Sequence, residues 1–117
     1  MMLRLGAWNI RGAHHVIKQD QCKQLISTHQ LSVIAILETK LNLAMSIKAA
    51  EHINPRWKYI HNLIEAPYGR ILILFNPLQL QLSPILTTPQ LIHCHATDLS
   101  DKTSFYVSFV YAFNSAI

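Results

Sequence analysis

The sequence predicts an α+β fold in which a mixed sheet is combined with two helices. Two apolar runs near the N-terminus, Leu3–Gly12 (LRLGAWNIRG) and Leu31–Lys40 (LSVIAILETK), have the composition of buried strands, and a stretch with helical spacing separates them. From Trp57 onward the chain shows short strands at close spacing, joined by polar turns. The first half therefore has the pattern of a βαβ unit, and the second half that of a sheet packed face to face against another layer.

The N-terminal unit is expected to bring two polar side chains to one sheet edge. The predicted helix Val16–His29 links the first strand, which ends at Asn9, to the apolar run Val33–Leu37, which Glu38 follows. A crossover through a helix makes two strands parallel and near neighbours, so both side chains should lie at the same edge. A carboxylate there is costly to desolvate unless it is paired, hydrogen-bonded or bound to a metal. These features predict a composite site.

The rest of the chain is predicted to form one more helix and a series of strands. The Leu and Gln residues of Leu78–Leu82 alternate, which predicts a half-exposed strand, and the polar turn Asp98–Thr103 suits a hairpin between the last two strands. The predicted elements are the helix Leu43–Ile53, ended by Asn54-Pro55, and the strands Trp57–Ile60, Arg70–Phe75, Leu78–Leu82, Leu91–Thr97 and Ser104–Tyr111.

Composition leaves two interpretations of the architecture open. The chain of 117 residues is 50% hydrophobic and 14% charged, whereas charged residues make up roughly a quarter of an average soluble domain. Such a sequence fits either a well-buried sandwich interior or a part of a larger domain whose remainder would cover some of its surface, and we favour the second. The net charge of +4 suits a polyanionic partner, although the basic residues are scattered and a solvated surface of mixed sign explains them equally well.

The sequence shows no sign of secretion or of membrane insertion. Cys22 and Cys94 are far apart and form no CxxC motif, which favours a reducing compartment. The N-terminus lacks the pattern of a signal peptide, and no apolar run approaches the roughly 20 residues that span a bilayer. We therefore expect an intracellular protein of the nucleus or cytoplasm, with no membrane partner.

Three motifs occur in a familiar order: AWNIRG with Asn9, ILETK with Glu38, and VYAFNS with Tyr111 and Asn114. Together they resemble the N-terminal part of the endonuclease/exonuclease/phosphatase (DNase I-like) family, and most closely the endonuclease domain of plant LINE-type (non-LTR) retrotransposons. The stretches GRILILFNP and LIHCHAT fit the same resemblance. It implies that residues 1–117 form about half of a four-layer α/β-sandwich, so that the domain is incomplete and its uncovered sheet surface could self-associate.

The resemblance also implies a role for each motif residue. The family's counterpart of Asn9 holds the phosphate and positions the nucleophile, and the counterpart of Glu38 is a ligand of a catalytic Mg²⁺. The counterpart of Tyr111 contacts the scissile phosphate of DNA, and Asn114 matches the asparagine of a VYG-x-N motif in which Ala112 here replaces the glycine. The family's GD-x-N motif, which activates water, and its C-terminal SDH motif do not occur in this sequence.

Each candidate also has a simpler structural explanation. Glu38 could pair with Lys40 in a turn, Asn9 could bond its own backbone, and Tyr111 could be a core residue with its hydroxyl at the rim. His93 and His95 share one face of a predicted strand and could hold a metal, but a half-exposed strand face explains them better.

Two classes of function remain open at this point. The resemblance favours a Mg²⁺-dependent endonuclease domain that is inactive alone, because it lacks the water-activating groups. The alternatives are a non-catalytic module that binds nucleic acid or protein, and a translated retroelement remnant without a selected function.

Overall fold

The computed structural model describes residues 2–13, 15–65 and 70–111, which form two sheets and two helices. This architecture confirms the predicted α+β class with a mixed sheet. In chain order the elements are β1 (Leu5–Asn9), α1 (Val16–His29), β2 (Val33–Leu37), α2 (Leu43–Ile53), β3 (Lys58–His61), β4 (Ile71–Phe75), β5 (Leu80–Thr88), β6 (Leu91–Asp98) and β7 (Ser104–Val110).

The first sheet, called sheet A, has four strands in the order β1-β2-β4-β3. Its first two strands are parallel, with Asn9 in register with Leu37, and the remaining pairs are antiparallel. The βαβ unit and its parallel neighbouring strands were predicted from the helical crossover between them, and the structure confirms both. The ends of β1 and β2 therefore lie at the same edge of sheet A.

The second sheet, called sheet B, has three antiparallel strands in the order β5-β6-β7 and covers one face of sheet A. Val33 and Ala35 of β2 point toward it and pack with residues such as Ile92 and Cys94 of β6. The alternate residues Ile34 and Ile36 pack on the opposite face against α1 and α2. Because both faces of β2 are covered, its continuous apolar run is explained by the layer order of helices, sheet A and sheet B.

Two strand predictions need correction. The first strand was expected to be buried, yet β1 alternates between half-buried and exposed residues, because it is the edge of sheet A and sheet B does not extend over it. The strand predicted over Leu78–Leu82 instead runs from Leu80 to Thr88. The longer strand contains Pro84, which lies beside a register shift on an edge strand, where a missing N–H disrupts no ladder.

A buried asparagine connects the two sheets. Asn62 directly follows β3 and is fully buried, and its Oδ1 accepts a hydrogen bond of 3.0 Å from the N–H of Ile71 at the start of β4. Its Nδ2 donates to the carbonyl oxygens of Thr88 and Pro89 in sheet B, each at 3.2 Å. These bonds satisfy the buried amide and fasten the end of β3 to the end of β5.

Candidate functional site

The loops after β1 and β2 form one connected rim at the edge of sheet A. Glu38 and Thr39 accept hydrogen bonds at their carbonyl oxygens from the N–H groups of Gly12 (2.7 Å) and Ala13 (2.8 Å). The register of the parallel pair sets Asn9 beside Leu37, so Asn9 and Glu38 come together at this rim as the sequence predicted. Asn9 is exposed, and the Glu38 side chain is 25% exposed to solvent. Both can reach a ligand from solvent.

The backbone of this rim is unusually bent. Arg11, Glu38 and Lys40 have φ values of 53°, 58° and 57°, in the left-handed region that residues with a Cβ avoid, and Gly12 has a φ of 103°. Such conformations persist only where surrounding contacts hold them, and they concentrate at functional sites. Here the hydrogen bonds between the two loops supply those contacts. The bend turns the residue after β2 out of the sheet.

Arg70 links Glu38 to Tyr111. The carbonyl oxygen of Arg70, which directly precedes β4, accepts a hydrogen bond of 2.6 Å from the N–H of Glu38. The Arg70 guanidinium carbon lies 5.7 Å from the centroid of the Tyr111 ring, within the range of a cation–π contact. Tyr111 itself packs partly into the core between the sheets, as its structural explanation predicted. It nevertheless lies at the end of the molecule that carries Glu38.

The rim is rich in cationic side chains. Lys18 of α1 reaches over the first loop, and its Nζ donates to the carbonyl oxygens of Ile10 (3.0 Å) and Arg11 (3.3 Å). Lys40 lies 3.9 Å from the Glu38 carboxylate, measured from Nζ to Oε1, with 61% of its side chain exposed. Lys18 and Lys40 thus bring positive charge to the loops of the rim, with Arg11 and Arg70 in adjoining backbone segments, and this charge favours an anionic ligand such as a phosphate group.

The same residues fit a bound Mg²⁺ poorly. Mg²⁺ is usually held by one or two carboxylates together with water and substrate phosphate oxygens. Glu38 can supply one carboxylate, but the Lys40 ammonium is close to it, and residues 2–13, 15–65 and 70–111 contain no group of three or more His, Cys, Asp or Glu side chains that could hold a metal ion. The rim as described would therefore hold Mg²⁺ weakly at most, and the metal-ligand role of Glu38 stays a prediction.

The other sequence-predicted candidates have different outcomes. Asn114 lies outside the described residues. His93 and His95 project from one face of β6, but their rings pack on Tyr106 of β7 at centroid distances of 5.8 and 5.3 Å, and His93 Nδ1 lies 2.6 Å from Ser108 Oγ. This packing agrees with the interpretation as a half-exposed strand face.

Arg70 and Lys18 were not identified as candidates from the sequence. The signal for Arg70 is weak, since a lone arginine before an apolar strand occurs at many solvent-exposed turns. Lys18 belongs to a helix, and only the fold reveals that its side chain reaches back to the loop at Ile10. The positions of both residues at the rim depend on contacts between segments that are distant in sequence, which local residue spacing does not predict.

The fold is similar to solved structures of endonuclease/exonuclease/phosphatase proteins. A family member from Bacteroides thetaiotaomicron matches with a TM-score of 0.63 and 13% identity over 89% of this chain and 48% of that chain. A mannosyl-6-phosphatase from the same organism matches with a TM-score of 0.63 and 12% identity over 90% of this chain and 49% of that one. An AP endonuclease from Leishmania major gives a TM-score of 0.67 and 13% identity over 95% of this chain and 40% of that one.

These similarities define the class of fold. At 12–13% identity they establish that the described elements have the fold of part of a DNase I-like domain, and this chain spans about half the length, or less, of the structures it matches. No protein-family model matches the sequence, and neither does any curated protein. Neither of the two described helices is long and apolar enough to cross a membrane.

Proposed function

We propose that residues 1–117 are a partial endonuclease/exonuclease/phosphatase domain that binds the phosphate backbone of DNA at the rim of sheet A but does not hydrolyse it alone. In this proposal Asn9 and Arg70 hold a phosphate, Tyr111 and Asn114 contact it, and Glu38 is the ligand for a weakly bound Mg²⁺. The motif order AWNIRG, ILETK and VYAFNS supports an origin in a plant LINE-type retrotransposon endonuclease.

The observation that carries the proposal is the connected rim. Asn9 and Glu38 stand on adjacent parallel strands, the loops that follow are joined by backbone hydrogen bonds, and Arg70 bonds to Glu38 while its guanidinium faces Tyr111. Phosphate oxygens accept hydrogen bonds from the N–H groups of a guanidinium and of an amide side chain. The similarity to the AP endonuclease and the mannosyl-6-phosphatase supports phosphate-ester chemistry as the ancestral activity.

The expected lack of turnover follows from the chemistry of phosphodiester hydrolysis. A metal ion, donors on the phosphate and a group that activates water are all needed. The sequence contains neither the GD-x-N nor the SDH motif that the resemblance assigns to water activation. Removing such groups abolishes the reaction, because residues of one catalytic unit do not act independently.

A second candidate function is a non-catalytic interaction module. The cationic rim supports nucleic-acid binding without hydrolysis, and the strand edges that are unpaired in the described part support self-association. A nucleic-acid partner and two free cysteines suit the nucleus or the cytoplasm. A retroelement remnant without function would show neither binding nor a cooperative unfolding transition.

DNA binding by the rim can be tested with a fluorescent duplex oligonucleotide and its anisotropy in a salt series. Non-specific binding through phosphates is expected, with a dissociation constant on the order of 10⁻⁴–10⁻⁶ M near physiological salt. Arg70→Ala should weaken binding and reduce the slope of log K against log salt concentration by about one, because one phosphate contact is lost.

The matched control is Arg56→Ala, which removes the same charge from an exposed residue after α2. If binding is specific to the rim, Arg56→Ala should leave the affinity and the salt slope close to those of the wild type. Equal losses in both variants would show that net charge alone drives binding, and would contradict a phosphate site at the rim.

A further inference from the structure

The first turn of α1 holds the loop that follows β1. Lys18 lies in this turn, and its Nζ donates to the carbonyl oxygens of Ile10 at 3.0 Å and of Arg11 at 3.3 Å. The next residue along the helix, buried Gln19, donates from its Nε2 to the carbonyl oxygen of Ala13 at 2.7 Å. Side chains of the helix therefore bind backbone carbonyls at both ends of the loop.

The Lys18 ammonium binds the peptide groups on both sides of Arg11. The carbonyl of Ile10 belongs to the peptide group before Arg11, and the carbonyl of Arg11 belongs to the one after it. The N–H of this second peptide group, on Gly12, donates to the carbonyl oxygen of Glu38 at 2.7 Å. Because peptide groups are planar, the orientation of the two groups that flank a residue sets its φ and ψ. These hydrogen bonds therefore fix the backbone conformation of Arg11.

The conformation that they fix is sterically disfavoured for arginine. Arg11 has a φ of 53°, in the left-handed region where Cβ comes too close to the following carbonyl oxygen. Such a conformation persists only where the surrounding structure holds it. The rotamers open to a side chain depend on its backbone angles, so the left-handed backbone also sets the direction in which the exposed Arg11 side chain leaves the rim.

Helix stability does not explain a cation at the position of Lys18. The N-terminal end of a helix carries partial positive charge, so acidic side chains stabilise the first turn and cations destabilise it. The first turn of α1 contains Lys18 and no acidic residue. Within residues 2–13, 15–65 and 70–111, no carboxylate lies within ion-pair distance of the Lys18 ammonium. Binding of the loop carbonyls is therefore the interaction that accounts for this lysine.

We propose that Lys18 is a positioning residue, which holds Arg11 in its left-handed conformation so that the Arg11 guanidinium binds a phosphate of the DNA backbone. This inference rests on the proposed function and deepens it, since it adds a phosphate contact on the β1 side of the rim to that of Arg70 beside β4. A guanidinium binds phosphate through N–H groups in a fixed plane, so its direction matters more than that of an ammonium. Arginine consequently benefits from a backbone that is held in place.

A double-mutant cycle tests the proposal with the whole chain, the fluorescent duplex and the salt series described above. Arg11→Met and Lys18→Met should each weaken DNA binding about fivefold near 0.15 M salt and reduce the slope of log K against log salt concentration by about one, because one phosphate contact is lost. The double variant should lose no more than either single variant, because Lys18 acts through Arg11.

The control variant is Lys23→Met, which removes an exposed lysine from the same helix and should leave the affinity and the salt slope unchanged. Cooperative thermal melts of all the variants show that a loss of binding is not a loss of folding. A merely structural role of Lys18 would lower the fraction of folded chain but would not change the salt slope.

Several results would overturn the positioning role alone, in a wild type whose binding is weakened by Arg70→Ala and not by Arg56→Ala. A slope reduced by about two in the double variant would mean that Lys18 contacts a phosphate itself. An unchanged slope in Lys18→Met or in Arg11→Met would mean that the pair does not act on a phosphate. Equal losses in Lys23→Met and Lys18→Met would mean that net charge drives binding. A wild type that does not bind DNA would overturn the proposed function and this inference together.

Discussion

At the scale of single residues, the position and backbone conformation of Glu38 define the rim. It follows a strand that is buried on both faces, its φ of 58° turns the chain out of the sheet, and its own N–H is bonded to Arg70. The apolar run before Glu38 indicated where the strand would end, so its position and that of Asn9 could be predicted from sequence. The left-handed conformation could not, because it depends on hydrogen bonds to a loop and a strand that are distant in sequence.

Cys22 is a residue whose thiol is strongly affected by burial in the fold. It is fully buried between α1 and sheet A, and burial raises the pKa of its thiol from 9.0 to about 12. Between these two values the folded chain keeps a proton that the unfolded chain has released, so stability must fall as pH rises above about 9.

We therefore predict a specific alkaline loss of stability. Between pH 8 and pH 10 the free energy of unfolding, measured with urea, should fall by up to about 1.4 kcal/mol more for the wild type than for Cys22→Ala. Comparing the two pH-dependent changes, rather than the absolute stabilities, removes the cost of the cavity that alanine leaves. Identical changes in the two proteins would show that the Cys22 thiol is not protected in the folded state.

At the scale of elements, the bounds of both helices were predicted correctly, but the exposure and the length of the edge strands were not. The helix bounds Val16–His29 and Leu43–Ile53 agree with the structure, since helical spacing and the Asn54-Pro55 stop are local signals. The exposure of β1 and the length of β5 depend on which strands are edges, and strand order is not a local property. Pro84 could be accommodated only because β5 has a free side.

Two asparagines at the ends of elements differ in burial and in the number of side-chain hydrogen bonds, so that their contributions to stability can be compared. The side chain of buried Asn62 makes three hydrogen bonds that join β3, β4 and the end of β5. Exposed Asn42 caps α2 with one bond, of 2.9 Å, from the N–H of Met45 to its Oδ1.

Asn62→Ala should lower the free energy of unfolding by about 3 kcal/mol, because it leaves buried backbone groups without partners. Asn42→Ala should cost about 1 kcal/mol, the usual effect of losing an N-cap. Urea denaturation of both variants measures the difference. Equal losses would show that Asn62 is a surface residue in solution and does not join the sheets.

At the scale of the whole molecule, the layers are unequal in width. Within the described residues, sheet A has four strands and sheet B three, and the side of β1 that faces sheet B is exposed. Ala7 lies in register with Ala35 of β2, yet Ala35 is fully buried and Ala7 is exposed. The chain matches about half the length of its structural neighbours. The composition was compatible with uncovered surface, which stays a prediction, and it could not indicate which strand would be exposed.

In the proposed function, the rim binds a DNA backbone and does not hydrolyse it alone. The most direct measurement is nicking of supercoiled plasmid by the purified chain in Mg²⁺, with a thermal melt of the same sample to show that it is folded. Glu38→Gln removes the carboxylate at the rim, and Glu51→Gln removes the same charge from an exposed position of α2. We predict a cooperative melt and no nicking by the wild type or by either variant. Nicking that is lost in Glu38→Gln and kept in Glu51→Gln would contradict the proposed function, because it would mean that the residues of this chain suffice for phosphodiester hydrolysis.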